Sequence, residues 1–142
     1  MKSWLFVVLQ FGALGLIAAT GPLLASNIWL LALELAGIAL GAWAVWSMGV
    51  FNFNITPDVK RGSRLVTTGP YELIRHPMYT ALLLITLPLI VNYFNALRLF
   101  IWMILFITLI FKLSYEETLL MKFHKEYAEY IKTSYRIIPF LY

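Results

Sequence analysis

The polar side chains of this sequence gather in two places, and both contain residues suited to chemistry. The first is the stretch Arg64-Leu65-Val66-Thr67-Thr68-Gly69-Pro70-Tyr71-Glu72-Leu73-Ile74-Arg75-His76-Pro77-Met78-Tyr79. Gly69-Pro70 marks a turn. Pro77 suits the first turn of a helix, where its missing N–H would lack a partner anyway. His76 then stands at a helix N-terminus, an end that disfavours a protonated imidazole and attracts anions. Tyr79, three residues on, falls on roughly the same side. The second place starts at Glu116-Glu117. Glu116, Leu120, Phe123, Tyr127 and Tyr130/Ile131 recur at three- and four-residue spacing and so share one helical face. That face is apolar except at Glu116, whereas Glu117, Lys122, Lys125, Glu126, Glu129 and Lys132 lie mostly off it. Two readings of this tail stand side by side: an amphipathic helix lying on a membrane surface, or a helix packed on the first stretch that aims Glu116 into a shared pocket. For the first stretch the plain alternative is anchoring, with Arg75 facing lipid phosphate and Tyr71 and Tyr79 in an aromatic belt. Anchoring needs neither a Gly-Pro turn nor a His-Pro helix start.

The elements that must position these residues are apolar. Hydrophobic residues make up 61% of the chain and charged residues 13%. Soluble domains carry about 25% charged residues, so most of the surface is expected to face lipid. Four apolar segments are expected to be membrane spans, at 4–24, 28–51, 77–91 and 97–113. They flank a loop at 52–76 and precede a C-terminal segment at 114–142. The uncharged run from Ser3 to Leu33 is longer than a signal-peptide core, so the first segment reads as a retained span. The last two segments are short for spans of about 20 residues. No Gly or Pro interrupts the chain from Phe111 to Thr133, so the fourth helix is expected to continue beyond the bilayer. Lys60, Arg61, Arg64 and Arg75 in the loop and Lys112, Lys122, Lys125, Lys132 and Arg136 near the C-terminal end put that side, with both termini, in the cytosol. The expectation is a single all-α domain: a polytopic bundle of four transmembrane helices with a cytosolic amphipathic C-terminal helix, in the cell (inner) membrane.

Other features narrow the chemistry. There is no cysteine, which removes disulfides, Cys-ligated zinc and thiol nucleophiles. The net charge of +4 fits orientation in an anionic bilayer. No basic run interleaves with aromatics, so nucleic acid is not expected as a partner; no metal is expected either. Glu34 is an intramembrane carboxylate, by default a functional candidate, and structural pairing or snorkelling is its plainer role. Gly37 and Gly41, four apart, permit close helix packing.

The two clusters together resemble a known family. Leu65-Val66-Thr67-Thr68-Gly69-Pro70-Tyr71 with Arg75-His76-Pro77-Met78-Tyr79 is similar to the signature of the isoprenylcysteine carboxyl methyltransferases, relatives of the membrane phospholipid methyltransferases. Glu116-Glu117-Thr118-Leu119-Leu120, Phe123, Glu126-Tyr127, Tyr130 and Arg136-Ile137-Ile138-Pro139-Phe140 resembles that family's ending. The resemblance covers about half of the chain and implies S-adenosylmethionine as cofactor, with S-adenosylhomocysteine as product. No Gly-x-Gly-x-x-Gly strand-to-helix motif is present, so no Rossmann sheet is expected to hold it. The resemblance assigns cofactor contacts to Ser63, Arg64, Leu65, Val66, Tyr71, His76, Pro77, Met78, Tyr79 and Glu116. Tyrosine faces stabilise cations, and Glu116 can pair with an ammonium or accept from a ribose hydroxyl. His76 and Glu116 are also the candidate catalytic bases, should the acceptor have to lose a proton. The resemblance assigns substrate binding to Lys112, four residues before Glu116. Eukaryotic members carry an arginine there; lysine keeps the charge and loses the bidentate fork. The function implied is methyl transfer to a lipophilic or amphiphilic acceptor that arrives from the bilayer. The alternative is a non-enzymatic membrane subunit that docks partners on its basic loop and tail.

Overall fold

The computed structural model describes residues 2–52, 54–59, 62 and 64–140. Lys60, Arg61 and Ser63 lie outside them. Five α-helices follow in order: α1 (Lys2–Ala19), α2 (Ile28–Asn52), α3 (Pro77–Asn92), α4 (Ala96–Phe123) and α5 (Tyr127–Thr133). The fold is all-helical. Among the described residues, extended pairing is limited to an isolated parallel bridge between Ile74 and Tyr135.

By length and composition α2 as far as Gly49, and α4, are long and apolar enough to cross a bilayer, and α1 and α3 are shorter apolar helices. Their outward faces are strongly apolar: Trp29, Trp46, Phe11 and Phe100 are all exposed. Exposed apolar surface on this scale marks contact with lipid or with another protein.

Two helix ends bear on these expectations, the first for a local reason. The first apolar run is expected to stay helical to Leu24, and α1 stops at Ala19. There the Thr20 hydroxyl donates to the carbonyl of Leu16 (2.6 Å), and Gly21-Pro22 turns the chain. With no Gly or Pro between Phe111 and Thr133, the fourth helix is expected to continue past Phe111. α4 does pass Phe111 and reaches Phe123, but His124 is extended (φ −122°, ψ 108°) before α5 begins. No residue type forces this break. It separates Phe123, which is 62% exposed, from Tyr127, which is 1% exposed. A continuous stripe would have placed both on one face.

Two close pairings make the bundle. α2 lies against α3 at small residues: a Cβ on Gly37 would stand 2.8 Å from Leu84 Cβ, and one on Gly41 would stand 3.3 Å from Ala81 Cβ. α1 lies against α4, and Ala13, Ile17, Leu89, Ile90, Ile101, Leu105 and Leu109 form a core shared by α1, α3 and α4. Glu34 is fully buried and accepts the Ala25 N–H at 3.1 Å. Its carboxylate thus holds the α1–α2 turn.

The Gly69–Glu72 segment forms a 3-10 turn pressed onto α2. Gly69 has φ 63°, and a Cβ there would lie 2.6 Å from Ser47 Oγ. Gly69→Ala is therefore expected to cost about 1–3 kcal/mol, read as a lower melting temperature in detergent.

Candidate functional site

His76 caps α3 with Pro77 in its first turn. The C-terminal strap, residues 134–140, holds this corner: Arg75 N–H donates to Tyr135 O (2.7 Å), His76 N–H to Arg136 O (3.1 Å), and Tyr135 N–H to Leu73 O (2.8 Å). The Thr80 hydroxyl donates to Ile137 O at 2.8 Å. Backbone groups that a lone helix start would leave open are thus paired with residues about 60 positions away.

Side chains converge on the same corner from α4. Tyr79 OH donates to Glu116 Oε2 at 2.7 Å. The His76 ring stacks on the Tyr79 ring, with centroids 5.4 Å apart and planes 8° from parallel. His76 Nδ1 lies 3.8 Å from Glu116 Oε2, and Nε2 lies 3.4 Å from Glu117 Oε1. Tyr130 OH donates to Tyr71 O.

Glu117 departs from expectation. The tail's periodicity places it off the inward face, yet its side chain is 7% exposed. It accepts from Arg75 Nε at 2.9 Å, and Arg136 Nη2 lies 2.9 Å from its other oxygen. α4 is enclosed on two sides here. Glu116 faces the His76–Tyr79 side, and Glu117, about 100° around the helix, faces the strap. Arg75 is therefore not a lipid-facing anchor. Its guanidinium also donates to the backbone oxygen of Ser134 and to that of Ile131 (3.3 Å).

A cavity of about 350 Å³ opens beside these groups, within the roughly 300–1,000 Å³ usual for ligand sites. Arg64, Leu65, Val66, Tyr71, His76, Pro77, Met78, Tyr79, Lys112 and Glu116 all line it. Every expected site residue that the structure describes thus meets in one place. Ser63 lies outside the described residues. Phe11, Val45, Met48, Leu82 and Ile85 add apolar lining. Lys112 is buried; its Nζ donates to Gln10 Oε1 (2.7 Å) and Ile55 O (2.9 Å) and lies 5.3 Å from the Tyr79 ring centroid.

A family model for phospholipid methyltransferases matches residues 26–127. The chain belongs to the phospholipid methyltransferase family. It is a membrane methyltransferase, and the family implies S-adenosylmethionine as methyl donor. No curated protein and no solved structure shows a match to the chain. The match spans α2, the loop, α3 and α4; α1 and the strap lie outside it.

The residues present suit this donor. Tyr71 OH and Tyr127 OH are buried without a hydrogen-bond partner among the described residues, and both residues line the cavity. Buried polar atoms are normally paired, so unpaired ones facing a cavity indicate a ligand. Burial, and then the charge of Glu116, push the Tyr71 phenol well above its ordinary range. Burial, and then Glu117, do the same for Tyr127. Burial pushes Tyr130 up to about 12. These phenols stay protonated and offer O–H groups. Glu116 supplies a carboxylate for a cationic group.

Sequence reasoning missed part of this site. Tyr127 and Tyr130 appear in the tail's stripe, but nothing marks them as cavity residues. Gln10 and Phe11 sit in a helix whose only signal is hydropathy. The Glu117–Arg75 pair leaves a faint signal, opposite charges within the two polar clusters, which spacing alone cannot join.

Proposed function

We propose that this phospholipid methyltransferase relative transfers a methyl group to an amphiphilic acceptor, in the manner of an isoprenylcysteine carboxyl methyltransferase, at the cytosolic face of the inner membrane. In this reading α1 to α4 all cross the bilayer, both termini are cytosolic, and the acceptor reaches the cavity from lipid. The observation that carries it is one cavity lined both by tyrosines and a carboxylate and by apolar side chains. S-adenosylmethionine, when bound, supplies a methyl already activated on a sulfonium. Arg64, Leu65 and Val66 wrap it from the loop. Tyr71, Tyr79 and Glu116 face its cationic groups, and His76 and Tyr127 offer buried polar atoms. The chain then has to align donor and acceptor and exclude water. His76, flanked by Glu116 and Glu117, can hold a proton released by an amine or thiol acceptor. A carboxylate acceptor releases none. Lys112, which lines the same cavity, offers a point charge to an anionic oxygen of the acceptor.

Calorimetry with S-adenosylhomocysteine on the detergent-solubilised protein tests the cofactor site. Binding is expected, with His76→Ala and Tyr71→Ala each at least tenfold weaker and Glu34→Ala equal to wild type. No binding at millimolar ligand would sink the reading. Methyl transfer from labelled S-adenosylmethionine into a lipid and membrane-protein extract then identifies the acceptor. Label in a docked protein partner but in no lipid or lipidated species would overturn the amphiphile.

A further inference from the structure

α1 lies outside the family match, yet it contributes Gln10 and Phe11 to the cavity. Gln10 is only 6% exposed, in an otherwise apolar helix. A buried amide is costly unless it is hydrogen-bonded, and this one accepts from Lys112 Nζ at 2.7 Å. An ammonium has three protons to donate. Gln10 Oε1 and Ile55 O take two. The third has no acceptor among the described residues, and Lys112 lines the cavity. The Tyr79 ring stands 5.3 Å away. Glu116, one turn along α4, faces the same cavity, but its Oε2 already accepts from Tyr79. Both bonded partners of Lys112 are neutral. They fix the ammonium without cancelling its charge, which a glutamate at position 10 would do.

We propose that Gln10 is a positioning residue that holds the Lys112 ammonium so that its remaining N–H reads an anionic oxygen, phosphate or carboxylate, on the acceptor. The inference rests on the reading of the cavity as the site of methyl transfer to an amphiphile. It adds that α1, through Gln10, helps select that acceptor. Phe11, Leu82 and Ile85 line the same cavity and offer apolar surface to the acceptor's chain.

The test uses the full chain in maltoside micelles saturated with S-adenosylhomocysteine. Calorimetry with dodecyl phosphate, dodecanoate and dodecanol, corrected for transfer into empty micelles, measures the preference for an anion. Wild type is expected to bind one anionic probe at least tenfold more tightly than dodecanol, and the stronger of the two identifies the oxygen source. Gln10→Leu and Gln10→Glu are both expected to lose this preference. Gln10→Glu keeps the size and adds an ion pair, so it is expected to melt no lower than wild type. A purely structural glutamine would predict that the neutral Gln10→Leu keeps the preference, and that result would overturn the proposal. Lys112→Met separates the levels. If it loses the preference while Gln10→Leu keeps it, only the role of Gln10 falls. If it too keeps the preference, or if wild type has none, the anionic reading of Lys112 falls with it.

Discussion

Glu117→Ala is expected to lower stability by about 3–5 kcal/mol, the usual cost of removing one partner from a buried ion pair. The reason lies in what remains. Arg75, its side chain 7% exposed, would keep its bonds to the backbone of Ile131 and Ser134 and lose the only carboxylate it pairs with among the described residues. The strap would lose its tie through Arg136 to α4. Because the strap holds the backbone N–H groups of Arg75 and His76, the damage should reach the cavity. Thermal unfolding in detergent, followed by tryptophan fluorescence, measures it. Glu117→Gln retains a hydrogen-bond acceptor for Arg75 and is expected to fall in between. Arg136→Ala removes a group that is 35% exposed, so a much smaller loss is expected, of up to about 1 kcal/mol. Equal losses for Glu117→Ala and Arg136→Ala would show that Arg75 does not depend on the carboxylate.

Glu116→Ala is expected to weaken S-adenosylhomocysteine binding about 10- to 150-fold, the equivalent of about 1.5–3 kcal/mol for a hydrogen bond to a charged group. Its carboxylate faces the cavity and is oriented by Tyr79 at 2.7 Å. The melting temperature should move little, since its side chain is 28% exposed and lies outside the Glu117 clasp. Glu116→Gln separates charge from shape: it can still accept from Tyr79 but cannot pair with an ammonium. Wild-type affinity in Glu116→Gln would rule out a role for the charge. Wild-type affinity in Glu116→Ala would remove the residue from the site altogether. The contrast between neighbours is the useful signature. Loss of Glu117 is expected to appear in stability and loss of Glu116 in binding, although the two share one turn of helix.

Much of this was legible in the sequence because it depends on local rules. Hydropathy and the scarcity of charge marked out the apolar helices. Gly69-Pro70 and His76-Pro77 announced a turn and a helix start, since proline and glycine restrict or free the backbone wherever they occur. Gly37 and Gly41 announced a close helix contact, which α3 makes. The two polar clusters pointed to one site, and the residues expected there meet in one cavity.

The rest required the fold. The break at His124 has no residue that signals it; it arises because Tyr127 is buried and Tyr130 bonds the Tyr71 backbone, both distant in sequence. Periodicity gave the tail a single inward face, but α4 is enclosed on two faces, and the second became visible only with the strap in place. The part of α1 was hidden for the same reason. A glutamine in an apolar run says nothing of its partner until Lys112, 102 positions away, is brought to it. The sequence by itself determined an all-helical, lipid-facing chain with the motifs of a methyltransferase, because apolar period, turn chemistry and motif spacing act over a few residues. The tertiary structure decided which charges are paired and buried and which remain open to a ligand, because Coulomb and hydrogen-bond energies depend on distances in space that chain separation does not fix.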